Sequence, residues 1–163
     1  LDSSVETEIT VSWTLNDDSS DGSVEIYRST DGSLGPLVTT AALSTTSYTD
    51  AGLKDGERYY YTVRRITDHT NADTQADTVT ILPAPTGLTA SNATETTAEL
   101  DWTDNHDNGE TLVQYKPTSS GVWTTFSALA IGTNTETLTG LRNGEAYDAR
   151  VLANTEHTQT EDN

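Results

Sequence analysis

The acidic loops are the first place in this 163-residue chain to look for chemistry. In Asn16-Asp-Asp-Ser-Ser-Asp-Gly22, the residues Asp17, Ser19, Asp21 and Gly22 follow the opening of a calcium loop. In such a loop alternate positions supply oxygen ligands and a glycine makes the sharp turn. The twelfth position requires a bidentate glutamate but holds Arg28, which breaks the pattern. Calcium at Asp17 and Asp21 is therefore set against a plain acidic turn whose side chains cap the backbone. A second loop, Asp104-Asn-His-Asp-Asn-Gly109, offers the poorer donor set Asp104, His106 and Asn108. The histidines (His69, His106 and His157) lie far apart and form no His-Glu-x-x-His motif, so solvated loop positions are expected for them. No Gly-x-Ser-x-Gly elbow occurs. The expectation is a chain without catalytic residues and without a cofactor. Trp123, in Gly121-Val-Trp-Thr-Thr-Phe126, is a ligand-stacking candidate, the alternative being an edge-strand tryptophan packed on its own sheet. Asn92-Ala-Thr94 is an N-glycosylation sequon in a chain rich in threonine.

These side chains need elements to carry them, and the elements read as strands. Ile9, Val11 and Trp13 alternate with polar residues, as do Ala98, Leu100 and Trp102, and Tyr59, Tyr61 and Val63. That alternation buries one face of a strand and wets the other. Threonine supplies about a fifth of the chain and favours extended backbone. Asp31-Gly32, Asp55-Gly56, Asn108-Gly109 and Asn143-Gly144 mark turns.

The strands recur. Leu53-Lys-Asp-Gly56-Glu-Arg-Tyr59 returns as Leu141-Arg-Asn-Gly144-Glu-Ala-Tyr147, and Trp13 and Tyr27 return as Trp102 and Tyr115. Two copies of one small all-β sandwich follow, spanning 1–82 and 86–163 and joined at Leu82-Pro-Ala-Pro-Thr86. Leu88 precedes Trp102 by more residues than stand before Trp13, so the first strand of the first copy is expected to be partial. With the last strand of the first copy placed at Asp77 to Leu82, its counterpart falls beyond Asn163, so the second copy is expected to lack its last strand.

These residues resemble tandem fibronectin type III domains. The resemblance implies core positions at Trp13, Trp102, Tyr27 and Tyr115. It also implies two tyrosine corners, at Leu53, Gly56 and Tyr59 and at Leu141, Gly144 and Tyr147, in which the ring packs inward and the hydroxyl bonds nearby backbone. The parity around Tyr27 is ambiguous, because Val24 and Ile26 fall on the opposite face from it.

The net charge of −18 with 8 basic residues, only Lys54 and Lys116 being lysines, is similar to that of haloarchaeal proteins. Concentrated salt screens the self-repulsion such a charge brings. Nucleic acid is excluded as a partner because no basic stripe meets phosphates, and no apolar stretch inserts into a membrane. The resemblance implies a structural or interaction module, extracellular or on a virion surface, whose partners are subunits of an assembly or a cell-surface receptor. In a haloarchaeal setting this looks like a tail-tip, fibre or decoration protein of a tailed virus. The alternatives are accessory domains of a secreted or cell-surface protein such as a hydrolase, and a carbohydrate-binding module.

Overall fold

A computed structural model of the chain describes residues 1–5, 7–16, 21–68 and 70–162. All regular structure among them is antiparallel β. Two compact units, Leu1–Ile81 and Leu82–Asn163, divide the chain. In the first, β1 (Asp2–Val5), β2 (Glu8–Ser12) and β5 (Ser47–Ala51) form one sheet in the order β1-β2-β5. The other sheet holds β3 (Ser23–Ser29), β4 (Leu37–Ala41), β6 (Arg58–Ile66) and β7 (Asn71–Val79), ordered β4-β3-β6-β7. The second unit repeats the plan. Its β8 (Thr86–Ser91), β9 (Thr97–Thr103) and β12 (Thr135–Thr139) run β12-β9-β8. Its β10 (Glu110–Pro117), β11 (Thr124–Ala130), β13 (Tyr147–Asn154) and β14 (Gln159–Asp162) run β11-β10-β13-β14.

Each core is the sum of the inward halves of these strands. Ile9 and Val11, Val24 and Ile26, and Tyr59 and Tyr61 are buried in the first, with Trp13, Tyr48 and Val63 packed around them. Leu100, Trp102, Val113, Leu138 and Val151 do the same in the second, joined by Leu88, Tyr115 and Phe126. Fully burying one such aliphatic side chain contributes about 1.5–3 kcal/mol.

Two expectations about the last strands are corrected. The second unit has a last strand: β14 pairs with β13 from Asn154↔Gln159 to Val151↔Asp162. The last strand of the first unit is β7, starting at Asn71 rather than Asp77. Its sequence, Asn-Ala-Asp-Thr-Gln-Ala, is exposed on both faces and has no apolar alternation, so it reads as loop. The start of β7 maps onto Gln159, the start of β14, 88 residues later.

Tyr27 lies outside the core. Val24 and Ile26 are fully buried, and Tyr27 is on the opposite face of β3, donating to Glu25, with the Arg64 guanidinium 5.2 Å from its ring centre. The inward position belongs to Arg28, which pairs across the ladder with Tyr61 as Tyr115 pairs with Ala149. The repeat offset is 89 at the tryptophans, 87 on β3 and β10, and 88 at the corners. The 88-residue match of Tyr27 with Tyr115 is thus a coincidence of composition.

Arg28 brings a charge to the edge of an apolar interior. Its Nη1 donates to Asp50 Oδ2 at 2.8 Å, and the Tyr61 hydroxyl donates to the same oxygen at 2.7 Å. The guanidinium carbon lies 5.6 Å from the centre of the Tyr59 ring. Burial, reinforced by Asp50, pushes the Tyr61 hydroxyl far above the usual tyrosine range. An unfolded tyrosine ionises near pH ~10, whereas the folded one stays protonated. Stability from this group is therefore complete below pH ~10 and falls as pH rises further. Urea midpoints measured from pH 8 to 11 should show that loss, and Tyr61→Phe should remove this contribution.

The β2–β3 and β9–β10 loops end in glycines held in the left-handed region, Gly22 (φ 94°) and Gly109 (φ 86°). A Cβ would stand 1.8 Å from the Ile66 carbonyl oxygen at Gly22 and 2.2 Å from that of Asn154 at Gly109. Both contacts are to backbone, so the strand itself must move. Gly109→Ala is expected to cost about 2–4 kcal/mol, from the strained φ and the overlap together. Gly132→Ala also has a positive φ but open space around its Cβ, and should cost less. Thermal melts of the two variants test the difference.

Candidate functional site

β10 and β13 place Gln114 opposite Arg150 and Lys116 opposite Asp148. Their neighbours Val113, Tyr115, Ala149 and Val151 pack in the core. By strand alternation the four polar side chains occupy the outer face of the sheet. After β10 the chain turns back, with the Ser120 N–H donating to the Pro117 carbonyl at 2.8 Å and Val122 N–H to Ser120 Oγ at 3.1 Å. This delivers Trp123, the residue before β11, onto the two cations. Arg150 Cζ lies 4.4 Å and Lys116 Nζ 5.0 Å from its ring centre.

Every group around the ring is held by another. Arg150 donates through Nε and Nη2 to Gln114 Oε1 at 2.9 and 2.8 Å. Lys116 Nζ donates to the Ser120 carbonyl at 3.2 Å and pairs with Asp148 Oδ2 at 3.2 Å. Asp148 Oδ1 accepts from Thr118 Oγ1 at 3.1 Å. An open recess of about 390 Å³ is bordered by Lys116, Trp123, Asp148 and Ala149. Sequence reasoning picked out Trp123 and missed its supports. Arg150 lies 27 residues away, and only the register of β10 with β13 brings it to Lys116.

The tyrosine corners stand at the start of β6 and β13. The Lys54 N–H donates to the Tyr59 hydroxyl at 3.1 Å, and the Arg142 N–H donates to the Tyr147 hydroxyl at 3.1 Å. Gly56 (φ 58°) and Gly144 (φ 80°) turn the chain between. Leu53 is buried and Leu141 packs on the second core. In the first unit Thr80, 2% exposed, ties the corner to the strand end: its hydroxyl donates to the Lys54 carbonyl at 2.6 Å and accepts from the Glu57 N–H at 3.0 Å. Nothing in the local sequence marks Thr80 for this. Tyr147→Phe is expected to cost about 1 kcal/mol, the net worth of an intramolecular hydrogen bond, and urea denaturation reads it directly.

The other positions separate. His106 is a correction: it is buried rather than solvated, with Nδ1 2.5 Å from Asp104 Oδ1. Asp104 Oδ2 also accepts from the Gly132 N–H at 2.6 Å, so this acidic loop is fastened to the β11–β12 turn. Asp21 is exposed, and Asp17 and His69 lie outside the described residues. Among the described residues no group of three acidic or histidine side chains converges as a metal site. Asn92 is exposed at the end of β8 with φ 48°, its Nδ2 donating to Glu99 at 2.6 Å.

Comparison with known proteins places this geometry. Residues 83–162 match the fibronectin type III domain family. Exoglucanase B of Cellulomonas fimi is 30% identical over 171 aligned residues, covering 93% of this chain and 14% of that protein. The chain therefore spans about a seventh of the length of this relative. A two-domain fibronectin type III segment of chicken tenascin superimposes with a TM-score of 0.76 at 17% identity, over 96% of this chain and 91% of that one. Residues 83–162 thus match the fibronectin type III domain, and the chain as a whole has the fold of two such domains in tandem.

Proposed function

We propose that the chain is a non-catalytic module of a larger extracellular protein, serving as an accessory domain pair beside a polysaccharide-acting part. The observation that carries this reading is the likeness to a short stretch of a much longer exoglucanase. It joins a pair of independently cored sandwiches in which the described polar clusters are tied up in structural bonds. The acidic composition supports a salt-rich setting. A virion tail or decoration protein rests on that composition alone, and the relative shifts the weight to the secreted protein.

The test is made on the parent protein. Excision of these residues is expected to leave turnover of a soluble oligosaccharide unchanged and to lower turnover of the insoluble polymer. Release of reducing ends by the isolated chain would overturn the non-catalytic reading. Equal loss on both substrates would overturn the accessory one.

A further inference from the structure

We infer that Trp123 is a stacking platform for the flat face of a neutral β-linked pyranose chain, on the outer face of the second sandwich. The inference deepens the accessory-module reading and rests on it for the polymer class. The geometry supplies the rest.

A tryptophan serves as a platform only if its ring is held in one orientation. Here Arg150 and Lys116 rise from the sheet to 4.4 and 5.0 Å from the ring centre, and both are themselves tied, to Gln114 and to Asp148. The ring is half-buried, and it borders the open recess with Lys116, Asp148 and Ala149. Val122, beside it in the chain, is 73% exposed.

A pyranose with equatorial hydroxyls offers an axial C–H face to such a ring and a rim of hydroxyls to polar groups. The negative face of the aromatic quadrupole attracts those C–H groups. Beside the ring, Lys116 as donor and Asp148, 43% exposed, as acceptor border a recess of about 390 Å³. That volume lies within the range of small-ligand sites, roughly 300–1,000 Å³. The rim suits a neutral sugar. Lys116 is already paired with a carboxylate, and a uronate would meet a chain of net charge −18. A purely structural role, pinning the β10–β11 hairpin, predicts the same packing but no ligand response.

The experiment titrates the intact chain with cellohexaose and, separately, with hexagalacturonate, following the three indole N–H signals by NMR. Cellohexaose is expected to move the Trp123 signal and leave those of Trp13 and Trp102 in place. Trp123→Ala should weaken binding at least about tenfold, the scale of one lost aromatic contact. Trp123→Tyr should retain part of it, and a thermal melt confirms that each variant is folded. Arg150→Gln keeps the ring but frees its orientation, and should weaken binding about threefold. An unmoved Trp123 signal at saturating sugar overturns the platform, as does binding unchanged in a folded Trp123→Ala, or a response to hexagalacturonate alone. Loss of the platform leaves the excision result untouched, so the two readings fail separately.

Discussion

Asp50→Ala should lower the stability of the first sandwich by about 3 kcal/mol, the lower end of what breaking a buried ion pair costs. The carboxylate is 6% exposed and is the shared acceptor for Arg28 and Tyr61. Its removal leaves a guanidinium and a hydroxyl without that acceptor at the edge of the core. Arg28 keeps about a third of its side-chain surface in water, which holds the cost below the upper end. A urea titration of the isolated first unit, followed by tryptophan fluorescence at Trp13, reads the change.

The second unit supplies the control. Where the first has Arg28, Asp50 and Tyr61, register places Tyr115, Leu138 and Ala149. Leu138 is 2% exposed, and the Tyr115 ring lies 5.9 Å from that of Tyr147. The same fold is thus closed once by a charged trio and once by an apolar one. Arg28→Tyr, Asp50→Leu and Tyr61→Ala combined should recover most of the loss, because well-packed apolar replacements of buried ion pairs are often neutral or stabilising. Recovery no better than in Asp50→Ala alone would show that the trio is specific to its surroundings.

Raising sodium chloride from 0.1 to 2 M should raise the melting temperature of the chain by roughly 10–20 °C. The first unit carries 14 acidic against 5 basic residues and the second 12 against 3, so each holds a net charge of −9. Two like charges 10 Å apart repel by about 0.4 kcal/mol in unscreened water. That falls to about 0.15 kcal/mol at 0.1 M salt and to almost nothing above 1 M. Summed over a small sandwich the relief is a few kcal/mol, or about 4–8 °C for each kcal/mol in a domain of this size. Few exposed ion pairs are lost in exchange. Arg58–Asp77 and Arg64–Asp73 lie on the surface, and such pairs contribute about 0–1 kcal/mol. A melting temperature independent of salt would remove the high-salt reading.

Sequence made the corners and the tryptophans legible because each needs a rare residue at a fixed spacing. Leu-x-x-Gly-x-x-Tyr encodes a turn and a ring, both local to one segment. The register of β3 was not legible. From Trp13 to Arg28 the chain runs two residues longer than from Trp102 to Tyr115, a difference hidden by the neighbouring offsets of 89 and 88. The first part of β7, Asn71 to Ala76, was missed because an edge strand exposed on both faces has no alternation to display. At the Trp123 cluster the ring was visible. Its two cations were not, because cross-strand pairing joined them and nothing local did.

The unlike cores give each sandwich an identity. Tandem domains of one fold are prone to exchanging equivalent strands as they form. A hybrid in which β3 entered the second unit would set Arg28 against Leu138 and Ala149, a cation facing aliphatic carbon in place of Asp50. The reverse exchange would leave Asp50 beside a tyrosine ring without its guanidinium. In either hybrid the Arg28–Asp50 ion pair is lost, and breaking such a pair costs stability that the correct arrangement keeps. The charged trio thus makes the two halves of the chain chemically unlike at one equivalent position of the same fold.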